Sequence, residues 1–225
     1  MQQLPYSTVL FDLDGTLTDS APDILDAIAS VLRAAGDPVP HMELSIIGPP
    51  LEGIFRKVCP DASDAKLARH VAAFCDLYFG GTFPKSRPYP GIVSLLERLR
   101  AEGRRLFVAT HKPEAAAFRM LEIKGLLPFF DGVACNDSLP GRQLSKKEII
   151  RLLMDRHALA PASMVMIGDT PLDIRGGNEQ GIATIAALYG YGDKAKVLAE
   201  RPRYVTDDPE WKTLREAEGL SLIHI

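Results

Sequence analysis

Cysteine is scarce in this 225-residue chain, and the three present, Cys59, Cys75 and Cys135, lie far apart. An odd number without a CxxC pair or zinc-ligand spacing excludes a disulfide framework and a structural zinc site. The expected state is reduced and buried, in a cytoplasm. Excess charge is also missing. The 26 Lys and Arg nearly balance the 29 Asp and Glu, leaving a formal net charge of −3. No field of one sign exists to gather nucleic acid or an anionic membrane, so neither is expected as a partner. No apolar run approaches the ~20 residues that a membrane-spanning helix needs. Met1–Tyr6 carries neither the basic residues nor the apolar stretch of a signal peptide. The expected location is therefore cytoplasmic. Internal repeats and low-complexity segments are absent from the sequence.

What is present is an ordinary globular composition, 46% hydrophobic and 24% charged. The chain is long enough for one good core with a sizeable insertion. Thr8–Phe11, Arg105–Ala109 and Met164–Ile167 are short apolar runs separated by helical patterns. That is the signature of a parallel sheet covered on both faces. Weaker runs at Gly132–Cys135, Thr184–Ala187 and Arg203–Val205 extend the series. The fold class is thus α/β. Between the first two strong runs no strand signal occurs. Ser20 can cap a helix with Pro22 in its first turn, apolar residues from Ile24 to Ala35 follow helical spacing, and Gly36 ends it. Further helices are expected over Leu51–Val58 and Ala65–Phe79. Residues 18 to 83 read as a small helical insertion in a domain formed by residues 1 to 17 and 84 to 225.

Each strong strand ends in a polar cluster, and sites in open parallel sheets lie beyond the carboxyl ends of strands. The first cluster is Asp12-Leu13-Asp14-Gly15-Thr16. Such a string is expected by chance in roughly one chain of this length in several hundred. Two carboxylates at this spacing can divide a phosphoryl transfer, one attacking phosphorus and the other moving the proton of the leaving oxygen and then of water. The alternative is a strand ending in an acidic turn. The cluster Asp169-Thr170-Pro171-Leu172-Asp173 opens a helical stretch. Its carboxylates suit magnesium, a hard ion with a preference for oxygen, though acids at a helix start also favour the helix dipole. Thr110 ends a strand, where its hydroxyl and the following N–H groups can bind a phosphoryl oxygen. One of Lys146 and Lys147 is needed to offset Asp12, Asp14, Asp169 and Asp173 against an anionic substrate.

These four elements in this order, Asp12-Leu13-Asp14-Gly15-Thr16, Thr110, Lys146 and Gly168-Asp169 with Asp173, resemble the haloacid dehalogenase superfamily across nearly the whole chain. The resemblance implies a Rossmann-like parallel sheet and makes the insertion look like the family's helical cap. It also implies roles. Asp12 becomes the nucleophile, Asp14 the general acid and base, and Thr110 and Lys146 the phosphoryl holders. Mg2+ would be held by the carboxylates of Asp12 and Asp169 and the backbone carbonyl of Asp14, with Asp173 in support. Lys146 is chosen over Lys147 because members often read Lys-x-Glu/Asp before two aliphatics, as in Lys146-Lys147-Glu148-Ile149-Ile150. Dehalogenases and phosphonate hydrolases of the family lack an acid at the position of Asp14, so its presence favours a phosphatase.

Finer strings, Asp14–Ser20, Gly48-Pro49-Pro50-Leu51 and Tyr189-Gly190-Tyr191-Gly192, look like phosphoglycolate phosphatases and related 5′-nucleotidases, which implies a small phosphorylated metabolite as substrate. A phosphomutase and a non-catalytic phospho-ligand-binding domain stand as alternatives. His111 departs from the Ser or Asn common at its position. It is a candidate phosphate contact, with an exposed, solvated side chain as the ordinary reading. His41 and Arg56 are candidate specificity residues, and Phe55, Phe74, Tyr78 and Phe83 could face a substrate or pack in a core. Monomer and small homo-oligomer are both open at this stage.

Overall fold

The computed structural model describes residues 4–217; the two ends of the expected domain, 1–3 and 218–225, lie outside the described residues. The apolar runs become the centre of a seven-stranded sheet. Its strands are β1 (Thr8–Phe11), β4 (Arg105–Thr110), β5 (Gly132–Cys135), β6 (Met164–Gly168), β7 (Ala183–Ala187), β8 (Tyr204–Thr206) and β9 (Arg215–Glu216), in the spatial order β5-β4-β1-β6-β7-β8-β9. All pairs are parallel except the edge pair β8–β9. Two further strands too short to carry a sequence signal, β2 (Thr18–Asp19) and β3 (Arg87–Pro88), pair antiparallel as a separate ribbon.

Residues in β1 alternate between two apolar layers. Val9 and Phe11 face one that includes Leu95, Leu96, Met120 and Leu121. Leu10 faces another, with Phe107, Ile149, Ile150 and Leu153. The helical partners come from α4 (Ile92–Ala101), α5 (Glu114–Ile123) and α6 (Lys146–His157). Helices α7 (Pro171–Glu179) and α8 (Lys194–Ala199) complete the cover. Burial on both faces is why these strands read as continuous apolar runs. Between β2 and β3 lie α1 (Ala21–Ala34), α2 (Leu51–Val58) and α3 (Asp64–Phe79). Among the described residues no helix is long and apolar enough to cross a membrane.

The start of α1 differs from the sequence expectation. Ser20 occupies the cap position, but its side chain makes no cap hydrogen bond. Its hydroxyl donates instead to Asp14 Oδ1 at 2.5 Å. The first N–H groups of a helix have no partner within it. Those of Ser20 and Ala21 donate to the Tyr191 hydroxyl at 2.6 and 2.9 Å. A side chain from the loop after β7 thus closes the helix end. The cysteines are free, yet only Cys135 is fully buried; Cys59 and Cys75 are half-buried in the region between β2 and β3.

Candidate active site

Parallel pairing aligns Phe11 with Val108 on one side and Ile167 on the other. The polar residues that follow these three strands therefore meet beyond the carboxyl ends of the central strands. Asp12 is buried there, its backbone N–H donating to the Ile167 carbonyl at 2.9 Å. One carboxylate oxygen from each of Asp12, Asp169 and Asp173 lies within 4.8 Å of the others. Asp169 is fixed from two sides, by the Thr16 hydroxyl at 3.0 Å and the Tyr191 N–H at 2.8 Å. Asp173 Oδ2 accepts from the Thr170 N–H at 3.0 Å and hydroxyl at 2.7 Å, which closes the first turn of α7. Asp173 therefore closes the helix start and also stands in the carboxylate cluster.

Close packing around Asp169 explains two glycines. A Cβ on Gly15, whose φ is +87°, would stand 2.3 Å from Asp169 Oδ2. On Gly190 a Cβ would lie 2.3 Å from Asp169 Cβ and 2.4 Å from the Gly15 carbonyl. Only hydrogen fits at either place, so the turn after β1 and the loop after β7 can close on the carboxylate.

Lys146 reaches the cluster from the first turn of α6. Its ammonium donates to Asp12 Oδ1 at 2.8 Å and the Ala109 carbonyl at 2.9 Å. It also forms an ion pair with Asp173 Oδ1 at 2.6 Å, off the line of a hydrogen bond. Burial opposes its charge, but the Asp12 and Asp173 carboxylates outweigh that and hold its pKa above the usual lysine range. Lys147 is half exposed and pairs with Glu179 at 3.5 Å on the outer surface. The helix turns the two neighbours about 100° apart, and only one can face the sheet.

One ammonium does not offset three carboxylates. Burial, with Asp173 adding its repulsion and Lys146 opposing, pushes Asp12 up to about 7. Burial with Asp12 and Asp173 pushes Asp169 well above the usual carboxylate range. Both shifts follow from desolvation and like charge disfavouring the ionised form. A buried set of three oxygen donors with surplus negative charge is the chemistry that a hard divalent cation fits.

Thr110 is buried at the end of β4, its hydroxyl accepting from the Lys112 N–H at 3.1 Å. His111 corrects one expectation. It is half-buried rather than solvated, and it bonds to the Gly48 backbone. Burial, reinforced by the Lys146 charge, lowers its pKa to about 4, so it is neutral at pH 7. His41 is highly exposed against Glu43. Arg56 pairs with Asp64 at 2.8 Å and lines a groove beside the site. Phe55 and Phe83 are core residues; Phe74 and Tyr78, also buried, reach the wall of the cavity that opens over Asp12.

Sequence reasoning missed Lys112. Its side chain is only 4% exposed, and its ammonium touches both Asp14 oxygens at 3.0 Å and the Tyr78 hydroxyl at 3.0 Å. The only signal is its position, two residues past the end of β4. Asp14, also held by Ser20, stands in the wall of the same cavity.

The sequence and the fold have known counterparts. The family model for haloacid dehalogenase-like hydrolases matches residues 9–187. A phosphoglycolate phosphatase of Vibrio vulnificus is 30% identical over 92% of this chain and 94% of its own. A 5′-nucleotidase of Pseudomonas aeruginosa is 31% identical over 91% of this chain and 93% of its own. The tyrosine-protein kinase PtkA of Mycobacterium tuberculosis is 33% identical over 94% of this chain and 72% of its own. Among solved structures, a haloacid dehalogenase-like hydrolase of Streptococcus pneumoniae superposes with a TM-score of 0.82 at 30% identity, covering 91% of this chain and 95% of that one. The chain belongs to the haloacid dehalogenase-like hydrolases and groups with that family's phosphatases.

Proposed function

We propose that this hydrolase is a magnesium-dependent phosphomonoesterase acting through an aspartyl-phosphate on Asp12, with a small phosphorylated metabolite of the phosphoglycolate kind as substrate. The observation that carries the reading is the position of Asp12 itself. It lines a cavity, backed by the Lys146 ammonium at 2.8 Å and flanked by Asp169 and Asp173.

In the first step a carboxylate oxygen of Asp12 bonds to phosphorus while the phosphorus–oxygen ester bond breaks. The departing alkoxide takes its proton from Asp14, leaving an acyl phosphate on Asp12. In the second, Asp14 removes a proton from water, the hydroxide attacks phosphorus, and the bond to Asp12 breaks to release inorganic phosphate. Lys146 holds the nucleophile in place and offers positive charge to the phosphoryl oxygens, where a loose transition state spreads negative charge. Thr110 and the neutral His111 contribute hydrogen bonds there, not charge. Asp12 and Asp169, with the Asp14 carbonyl and Asp173 in support, would hold Mg2+, which supplies further charge neutralisation at the transferring group. The three helices between β2 and β3 act as a cap that excludes water during attack and reads the leaving group.

The test is phosphate release by purified protein across phosphoglycolate, nucleoside 5′-monophosphates, sugar phosphates and p-nitrophenyl phosphate. Release is expected with magnesium, to be silenced by EDTA and restored by added Mg2+; activity indifferent to EDTA removes the metal from the account. A preference for nucleotides would place the enzyme with the 5′-nucleotidase, and isomerisation of a hexose phosphate without free phosphate would make it a mutase. Transfer from ATP to a protein tyrosine would align it with PtkA. Substituting Asp14 by Asn is expected to slow alkyl phosphates by about 10²–10⁴, the usual contribution of a general acid, and p-nitrophenyl phosphate far less. Equal losses on both would count against Asp14 as the proton donor.

A further inference from the structure

Over Asp12 lies a small cavity of about 50 Å³ that opens to solvent. Much of its wall is apolar, formed by Ile24, Ile47, Leu51, Ile54, Phe74 and Phe79. Among the described residues that line it, Lys112 is the one with a cationic side chain at neutral pH, since His111 is uncharged there. A buried ammonium in an apolar wall is costly unless a partner uses it. Lys112 rests on Asp14, at 3.0 Å from both oxygens, and on the Tyr78 hydroxyl. The centroid of the Tyr78 ring also lies 4.7 Å from the ammonium. Burial pushes Tyr78 up to about 12, so its hydroxyl keeps its proton and remains a donor.

We infer that Lys112 and Tyr78 form a carboxylate subsite for the leaving group, so that the preferred substrates are phosphate esters of short hydroxy acids. The inference rests on the phosphomonoesterase reading of the same site. Distance limits the substrate's length. To receive a proton, the ester oxygen must come within about 2.6–3.2 Å of an Asp14 oxygen. Lys112 Nζ is 3.0 Å from those same oxygens. Ester oxygen and ammonium are then no more than about 6 Å apart, the sum of two hydrogen-bond lengths. A carboxylate one or two carbons from the ester oxygen fills that gap, and a nucleoside, uncharged there, does not. The Tyr78 hydroxyl is a neutral partner for the ammonium. An incoming carboxylate makes the stronger, charge-assisted bond to Lys112 and accepts a second one from Tyr78. Because Lys112 belongs to the loop after β4 and Tyr78 to α3, the anion would bridge the sheet and the helices above it.

The experiment compares three substrates with magnesium: 2-phosphoglycolate, 2-hydroxyethyl phosphate as its uncharged match, and p-nitrophenyl phosphate. Wild-type protein is expected to favour the carboxylate over its match by about 10²-fold or more in kcat/KM, the scale of a buried charged hydrogen bond. Lys112→Met should reduce that preference to within a few-fold, mainly through KM for phosphoglycolate. Lys112→Arg should restore part of it, and Tyr78→Phe should lower it by about 3- to 10-fold, the worth of one neutral donor. If p-nitrophenyl phosphate is hydrolysed but wild type shows no preference between the matched pair, the subsite is overturned while the phosphatase stands. Equal losses on all three in Lys112→Met would also overturn it. Hydrolysis of none by wild type removes the phosphatase reading and the subsite together. The wild-type comparison decides the matter even if a variant fails to fold.

Discussion

Asp12→Asn is expected to reduce turnover by at least about four orders of magnitude on every substrate the enzyme accepts, the scale of loss when a covalent nucleophile is removed. An amide cannot form the acyl phosphate, and the other carboxylates of the cluster are committed elsewhere. Asp169 is held by Thr16 and Tyr191, and Asp173 by Thr170 and Lys146. Clear residual turnover in pure protein would defeat the nucleophile assignment.

The same variant carries a stability prediction with a definite sign. Folding raises the Asp12 pKa from 3.8 to about 7, chiefly through burial. A group protonated more readily when folded stabilises the fold at low pH and loses that contribution as pH rises between the two values. Asparagine has no such loss. In EDTA, melting of the Asn variant should therefore gain on wild type as pH rises from 3.8 to about 7, then stay level above. A gap that moves the other way would mean that Asp12 is held ionised in the metal-free protein.

Lys146→Met is expected to be the second large effect, contrasted with Lys147→Met. Losing Lys146 strands Asp12 and Asp173 without their shared cation. Removing one partner of a buried ion pair costs about 3–5 kcal/mol, and the phosphoryl group loses its positive anchor. Denaturant unfolding and kcat/KM should both fall steeply. Lys147 is exposed against Glu179. Its loss should cost no more than about 0.5 kcal/mol, as for other surface pairs, and leave turnover near wild type. Equal effects at the two positions would refute the division of labour between them.

These outcomes bear on how far the sequence can be read. The six parallel strands are legible because burial turns each into an apolar run, and the central ones end in polar clusters. Strands β2, β3 and β9, two residues each, carry too few side chains to show a period. Asp12, Asp14, Asp169 and Asp173 stand out as unusual strings at strand ends. The choice of Lys146 over Lys147 needs the resemblance, since both open the same helix and composition treats them alike.

Lys112 is out of reach for a different reason. A lysine beside a proline in a loop is ordinarily solvated, and nothing local records that Tyr78, far away in a helix, closes over it. Ser20 shows the opposite failure: the local signal for a helix cap is sound, but Asp14 takes the hydroxyl and Tyr191 the backbone N–H groups. His111 reads as solvated because loop histidines usually are, yet in the fold it is half-buried and bonds to the Gly48 backbone.

Periodicity and strand-end chemistry are properties of neighbouring residues. The succession of the six parallel strands, and the acidic and threonine groups at the ends of the central ones, therefore follow from the amino-acid string alone. Which charges share an environment follows only from the folded chain: Lys146 between Asp12 and Asp173, Lys112 between Asp14 and Tyr78, and Asp169 against two glycines. Charge pairing acts over a few ångströms of space regardless of separation along the chain, and burial, which sets its strength, belongs to the whole fold.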